Sequence, residues 1–268
     1  MEKKLNSLIS VIMGVYNCGE TLEECIESLL SQTCQNFEII ICDDGSTDKT
    51  YEIAKKFQDK YPDKIVLIKN EKNMGLNYTL NHCLKYAKGE YIARMDGDDL
   101  CDKTRFEKEL NFLINHPEYA IVSTPMKYFN ENGVFKIGSG GGEPNINLIP
   151  LKTPFCHAAC MVRKEAYDAV GGYSVDEKLL RVEDWHLWIK MYSKGYKGYV
   201  LDEPLYMMRD DQKAISRRKF KYRLNEAYVG RLAVKMLHLP NFYYLLTIRP
   251  IIIGILPKSI YKFLHSIK

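Results

Sequence analysis

Four strand-like apolar runs, each followed by a stretch of helical periodicity, occupy the first 125 or so residues, and this alternation restricts the fold more than any other feature. "LISVIMGVY", "FEIIICDD", "KIVLIKN" and "EYIARMD" are rich in β-branched residues and read as strands, with "YAIVSTP" as a fifth. Between them, "TLEECIESLLSQT", "DKTYEIAKKFQDKY", "GLNYTLNHCLKYA" and "KTRFEKELNFLINH" read as helices. In the first of these, Leu22, Cys25, Ile26, Leu29 and Leu30 share one face. Repeated strand-helix units predict an α/β fold with a mainly parallel sheet wrapped on both sides. Such sheets bind ligands beyond the carboxyl ends of their strands.

Three of those ends carry polar clusters: Tyr16-Asn17, Asp43-Asp44-Gly45-Ser46 and Asp96-Gly97-Asp98-Asp99. A single cluster reads equally well as a loop capping the next helix, since Ser46 and Asp48 are good N-cap types. Three on one sheet edge favour a binding site. Asp96 and Asp98, one residue apart, suit a hard divalent cation, and Gly97 would let a ligand approach the backbone. Mg²⁺ usually takes one or two protein carboxylates plus substrate phosphates, so a nucleoside diphosphate is the natural remaining ligand. An EF-hand starting at Asp96 does reach Glu107, but Leu100 and Cys101 occupy the fifth and sixth positions, and the sixth needs glycine. An aspartyl phosphatase would have glycine after both aspartates, not between them. Tyr16 can stack on a base, while Asp43 or Asp44 can accept from a pyrimidine N–H and ribose hydroxyls. Glu183-Asp184 opens a helix, where carboxylates serve as simple caps or as a general base near the cation.

Net charge is +4, too weak to indicate nucleic acid. Eight cysteines include no CxxC pair, and "MEKKLNSLISVIMGVYN" has no small-residue cleavage site. The expectation is free thiols in a reducing cytoplasm. Cys156, His157 and Cys160 lack a fourth ligand at metal-binding spacing.

The second half is less regular. "FNENGVFKI" predicts a hairpin turning at Asn132-Gly133. "GSGGGEPNINLIP" is a long glycine-rich loop without the Gly-Lys-Ser/Thr of a P-loop, and reads as a lid or a plain connection. "FCHAACMV" predicts a strand, "VEDWHLWIKMYSKG" a helix with Trp185, Trp188, Ile189 and Tyr192 on its apolar stripe, and "YKGYVLDEPLYMMR" a strand pair around Pro204. Residues 1–212 are expected to form one domain. Residues 213–268 form a basic, amphipathic helical segment with no apolar run long enough to span a bilayer. Its aromatic, aliphatic and basic residues suit peripheral contact with a membrane surface, and a helix pair docked on the domain is the alternative.

"SVIMGVYN", "ICDDGSTDKT", "NMGLNYTLN", "ARMDGDDL" and "VEDWHLWIKMYSKG", in that order, resemble the family 2 glycosyltransferases of the GT-A fold over about residues 7–200. The resemblance implies a Rossmann-like three-layer α/β/α sandwich with a nucleotide-binding half over 1–125, an acceptor half over 126–212 and a C-terminal helical tail. It implies an inverting, Mn²⁺- or Mg²⁺-dependent transfer of a sugar from a nucleotide-diphosphate donor, a UDP-sugar first, to a glycan or lipid-linked acceptor. By position, Val15, Tyr16, Asn17, Asp43, Asp44, Asn73, Gly75, Arg94, Asp96 and Gly97 would border the nucleotide. Asp98, with Asp96, would hold the metal, Asp99 supporting them. Asp184 would be the base, with Glu183 beside it. His157 and Trp185 would lie near the acceptor. The family's frequent histidine after "LYMMR" is missing, which leaves Arg209, Lys213 or Arg217 to meet the diphosphate. By analogy, the setting would be synthesis of a bacterial surface polysaccharide on the inner face of the cytoplasmic membrane. The rivals are a nucleotidyltransferase, which would want a basic glycine-rich loop where "GVYNCGETLEE" stands, and a non-catalytic nucleotide-sugar-binding module.

Overall fold

The computed structural model describes residues 7–209 and 220–255. In chain order the first half runs β1 (Ile9–Val15), α1 (Leu22–Leu30), β2 (Phe37–Asp43), α2 (Thr50–Lys60), β3 (Ile65–Lys69), α3 (Leu76–Leu84), β4 (Tyr91–Arg94), β5 (Leu100–Cys101), α4 (Arg105–Asn115) and β6 (Tyr119–Ser123). The second half continues with β7 (Met126–Asn130), β8 (Gly133–Ile137), β9 (Cys160–Arg163), α5 (Lys164–Val170), α6 (Glu183–Ser193), β10 (Lys197–Val200) and β11 (Tyr206–Arg209). Helices α7 (Phe220–Met236), α8 (Tyr243–Leu246) and α9 (Arg249–Ile255) close it.

The main sheet has the order β10-β6-β9-β4-β1-β2-β3. Every pairing is parallel except those of β9, which runs against both β4 and β6. Reversing one strand between β4 and β6 leaves the carboxyl ends of β1, β2, β3, β4, β6 and β10 on one edge. A smaller sheet, β5-β11-β7-β8, joins it there.

Side chains on a strand alternate between faces, and the core follows that period. Ile9, Val11 and Met13 of β1 pack with Leu22, Ile26 and Leu29 of α1 and with Phe106 and Leu110 of α4. Ile12 and Ile40 face the other way, onto Leu80 and Cys83 of α3 and Leu187 and Trp188 of α6. The result is the expected three-layer arrangement.

Three local expectations change. Strand β9 begins only at Cys160, because His157–Ala159 form a 3-10 turn. The segments around Pro204 do not pair with each other: β10 lies beside β6, and β11 sits between β5 and β7 in the smaller sheet. The 126–137 hairpin forms, with Asn130 opposite Gly133, so the turn is one residue earlier than the sequence suggested.

Helix α7 docks on the domain. Its Val229 and Ala233 join Ile149, Leu179, Val182, Trp185 and Ile189 in a third core cluster. Gly230 approaches Pro150 so closely that a Cβ would sit 2.5 Å from the Pro150 carbonyl oxygen. Helices α8 and α9 pack on α7 but leave Leu245, Ile252 and Ile255 more than half exposed. No helix among the described residues is long and apolar enough to cross a membrane.

Candidate active site

The three polar clusters, two of them acidic, and the Glu183-Asp184 pair gather along the carboxyl edge of the main sheet. Asp96, Asp98 and Asp99 follow β4 directly, each offering a carboxylate oxygen within 4.8 Å of the others'. Gly97 lets this loop fold inward: a Cβ there would lie 2.8 Å from Cys18 Sγ and 2.9 Å from Val15 Cγ1. The glycine thus serves packing against the end of β1.

Asp99 is buried and held by two donors, the Tyr206 hydroxyl at 2.8 Å and the Arg209 backbone N–H at 2.7 Å. Burial, then the charges of Asp96 and Asp98, push its carboxyl up to about 8. Asp98 is exposed at the rim, yet partial desolvation and then Asp96 raise its pKa as well. Asp96 forms an ion pair with Arg94, whose side chain is 2% exposed and whose Nε has no hydrogen-bond partner. Arg94 is therefore a fixed positive charge in the floor of the site, and its field reaches Asp96, Asp98, Asp184 and His157.

The Asp43-Asp44 pair divides its work. Asp44 accepts from Asn70 Nδ2 and Met74 N with one oxygen, both at 2.8 Å, and from Gly75 N with the other, at 2.9 Å. It holds the Asn73–Gly75 loop in place and has little capacity left for a base. Asp43 Oδ1 accepts from Ser46 N, while its buried Oδ2 has no hydrogen-bond partner and sees only Lys69 Nζ at 3.7 Å. Asn17, with φ of 51°, ties the end of β1 to the same loop by accepting from Thr47 N and donating to Ser46 Oγ. Tyr16 is 47% exposed beside them.

Asp184 sits in the first turn of α6. Burial, then the neighbouring Glu183, push its carboxyl up to about 7. Glu183 Oε2 is buried without a partner. His157 shares a 2.7 Å hydrogen bond with the Tyr173 hydroxyl, and burial followed by the Arg94 charge drives its pKa well below the usual value, so the ring is neutral.

Two expected ligand contacts are occupied otherwise. Trp185 is buried, its Nε1 donating to the Ile149 carbonyl at 2.7 Å, so it supports the first turn of α6 from the core. Arg209 donates from Nε to the Asp98 carbonyl (2.9 Å) and from Nη2 to Glu24 (2.7 Å), stacked 4.5 Å over Phe129. It braces the acidic loop. Lys213 and Arg217 lie outside the described residues. Sequence reasoning missed Tyr206, whose hydroxyl also accepts from Asp96 N at 3.3 Å; a lone tyrosine in a short strand carries no distinguishing signal. It also missed Arg105 and Glu109. Their signal was present, as charges in line with Leu113 on an otherwise apolar helix face.

Residues 10–171 match the family model described as glycosyl transferase family 2. The putative glycosyltransferase EpsE of Bacillus subtilis (strain 168) is 42% identical over 96% of this chain and 93% of its own length. A second relative, from Escherichia coli, is the UDP-Glc:alpha-D-GlcNAc-diphosphoundecaprenol beta-1,3-glucosyltransferase WfaP, 32% identical over 88% of this chain and 92% of that protein. Among solved structures, S. aureus TarS 1–349 in complex with UDP-GlcNAc aligns with a TM-score of 0.68 at 22% identity, over 91% of this chain and 70% of that one. The chain spans 43% of the longer TarS structure. The mannosyltransferase PcManGT from Pyrobaculum calidifontis, in complex with GDP-Man and Mn²⁺, aligns with a TM-score of 0.66 at 17% identity, over 91% and 71%. These structures share the fold, and the matched family model together with full-length relatives shows that this chain belongs to glycosyl transferase family 2 and is a glycosyltransferase.

Proposed function

We propose that the enzyme transfers a sugar, with inversion, from a nucleoside-diphosphate donor to a hydroxyl of a glycan or lipid-linked acceptor in surface polysaccharide synthesis. The observation that carries this reading is the shared environment of the acidic loop and Asp184: one buried guanidinium, Arg94, pairs with Asp96 in the loop, and its field also reaches Asp184, whose carboxyl burial and Glu183 push up to about 7. The names of the relatives agree with it, WfaP acting on a diphosphoundecaprenol-linked sugar and AmsE of Erwinia amylovora belonging to amylovoran biosynthesis.

Three carboxylates within 4.8 Å, two of them with raised pKa values, form a donor set that a divalent cation would relieve of its repulsion. Asp96 and Asp98 would hold Mn²⁺ or Mg²⁺, supplying positive charge opposite the leaving diphosphate. Asp43, fully buried and with Oδ2 lacking a hydrogen-bond partner, would accept from the base N–H, and the exposed Tyr16 ring would stack on the base. Asp184 takes the proton of the acceptor hydroxyl as its oxygen bonds to the anomeric carbon. The bond from that carbon to the diphosphate oxygen breaks on the opposite face, and the nucleoside diphosphate departs with the electron pair. Asp99, Tyr206 and Arg209 keep the acidic loop in shape throughout.

The test is product analysis with UDP-glucose, UDP-GlcNAc and GDP-mannose in the presence of Mn²⁺. Release of nucleoside diphosphate is expected, abolished by EDTA. Asp98→Asn should lower turnover by about two orders of magnitude. Release of pyrophosphate would instead mark a nucleotidyltransferase.

The reading includes contact with an anionic lipid surface through α8 and α9. Leu245 and Ile255 are at least 70% exposed and Ile252 57%, with Lys235 and Arg249 nearby in sequence. Paired Leu245→Glu and Ile252→Glu substitutions are expected to reduce sedimentation of the full chain with phosphatidylglycerol vesicles severalfold. Equal sedimentation would remove the membrane from the proposal.

A further inference from the structure

The glycine-rich loop has found no use so far, yet its conformation is tightly specified. Gly140 and Gly142 have φ of +105° and +100°, a region L side chains rarely enter. Between them, a Cβ on Gly141 would lie 2.0 Å from Asp202 Oδ1. The loop is also tied down. Gly142 exchanges two backbone hydrogen bonds with Val200, at 2.8 and 3.0 Å, and Glu143 accepts from the Tyr119 hydroxyl at 3.1 Å. It is neither a loose connection nor poised over the acidic cluster. It forms part of the lining of a partly open cavity of about 300 Å³, together with Leu148, Ile149, Lys152 and Thr153.

Three features place this cavity beside the reaction centre. Val200, in its lining, ends β10 opposite Ser123, which lies opposite Cys160. Arg94 follows Ala93, which pairs with Met161, so Val200, Ser123, Cys160 and Arg94 stand in one row across the sheet. Three strand spacings separate the ends of that row by about 14 Å. Ile149, also in the lining, holds Trp185, the residue after Asp184. From Thr153 and Pro154 the chain runs three residues to His157. The cavity therefore lies on the base's side of the cleft, with Tyr16 and Asp43 on the far side of β4, at the ends of β1 and β2.

Its chemistry is that of a neutral, hydroxyl-rich ligand. Backbone groups of Gly140 and Gly141, the Ser139 hydroxyl and Asn145 Nδ2 offer donors and acceptors, with Pro144 and Leu148 as apolar contacts, while Glu143 and Lys152 are one charge of each sign and form no cluster of cations to hold a diphosphate. We infer that this cavity is a subsite for a sugar of the acceptor lying further back than the one that receives the transferred unit, so the acceptor is at least a disaccharide. The inference rests on the transferase reading above and deepens it.

The test uses full-length protein with UDP and Mn²⁺, titrated with cellobiose, lactose and chitobiose by ligand-observed NMR. UDP binding is followed in the same samples by thermal shift. At least one disaccharide is expected to bind and to be weakened about tenfold or more by Ser139→Trp, which fills the cavity from an exposed position, with UDP binding unchanged. Thr153→Trp, elsewhere in the lining, is expected to do the same and serves if the first variant fails to fold. No binding of any disaccharide to the wild type, or equal binding to the filled variants, would overturn the subsite. Failure of UDP to bind the wild type would instead sink the donor reading, leaving the subsite to be judged by the disaccharides.

Discussion

Asp184→Asn is expected to lower kcat by about 10³-fold while leaving UDP and Mn²⁺ binding unchanged. The amide has nearly the size and shape of the carboxyl but cannot take a proton at neutral pH. The wild-type carboxyl, pushed up to about 7 by burial and by Glu183, sets the matching pH profile. Activity should rise about tenfold per pH unit below 7 and level off above it, because only the ionised form accepts the acceptor's proton. The same shift has a stability consequence of opposite sign. Between its ordinary value of 3.8 and about 7, folded Asp184 keeps a proton that the unfolded chain has released. Stability therefore falls as pH rises through that window. Asparagine removes this loss, so at pH 8 the inactive variant should be more stable than wild type by about 2 kcal/mol, after allowing for the solvent the carboxyl still meets, and should unfold at a higher temperature. At pH 4 the two should nearly coincide. Turnover near the wild-type level, or a variant less stable at pH 8, would remove Asp184 from the base role.

The sheet was legible in the sequence because β-branched runs and helical stripes alternate without interruption up to Ser123, and each acidic cluster falls at a strand end where no core packing calls for it. The second half was harder. Strand β9 is short and antiparallel between parallel neighbours, and nothing in "FCHAACMV" distinguishes a four-residue strand after a 3-10 turn from a longer one. Strands β10 and β11 lie close in sequence yet belong to different sheets, a choice made by long-range pairing that local pattern does not encode. At the site, residue types were readable but the division of labour was not. Asp43 and Asp44 look alike in the sequence, and only the path of the 73–75 loop shows that Asp44 is saturated while Asp43 keeps a free oxygen. Arg209 looked like a phosphate ligand, and its reach to Glu24 and the Asp98 carbonyl depends on where β11 ends.

Arg105→Met is expected to be the most damaging single change to the fold, costing about 3–5 kcal/mol at neutral pH. Arg105 and Glu109 are both fully buried, and Arg105 Nε donates to both Glu109 oxygens at 3.1 and 3.2 Å. The same guanidinium donates from Nη2 to the carbonyls of Arg94, Ala158 and Cys160 at 3.2 to 3.4 Å. It thus ties the end of β4 to the start of β9 and to the turn carrying His157, immediately behind the acidic loop. Methionine fills similar space but leaves Glu109 without its cation. Burial already pushes the Glu109 carboxyl up to about 7 against the pull of Arg105; without that pull it must rise further. The variant's deficit should therefore shrink toward low pH, where Glu109 is neutral in any case, and be largest above pH 7. Replacing both partners, as Arg105→Met with Glu109→Leu, removes the buried charge altogether and should recover much of the stability, since apolar substitutes for a buried pair are often neutral. It does not restore donors to the three carbonyls, so the double variant should regain melting temperature without regaining full turnover. A single variant that loses less than about 1 kcal/mol, or a double variant as unstable as the single, would show that the pair is not what holds this junction.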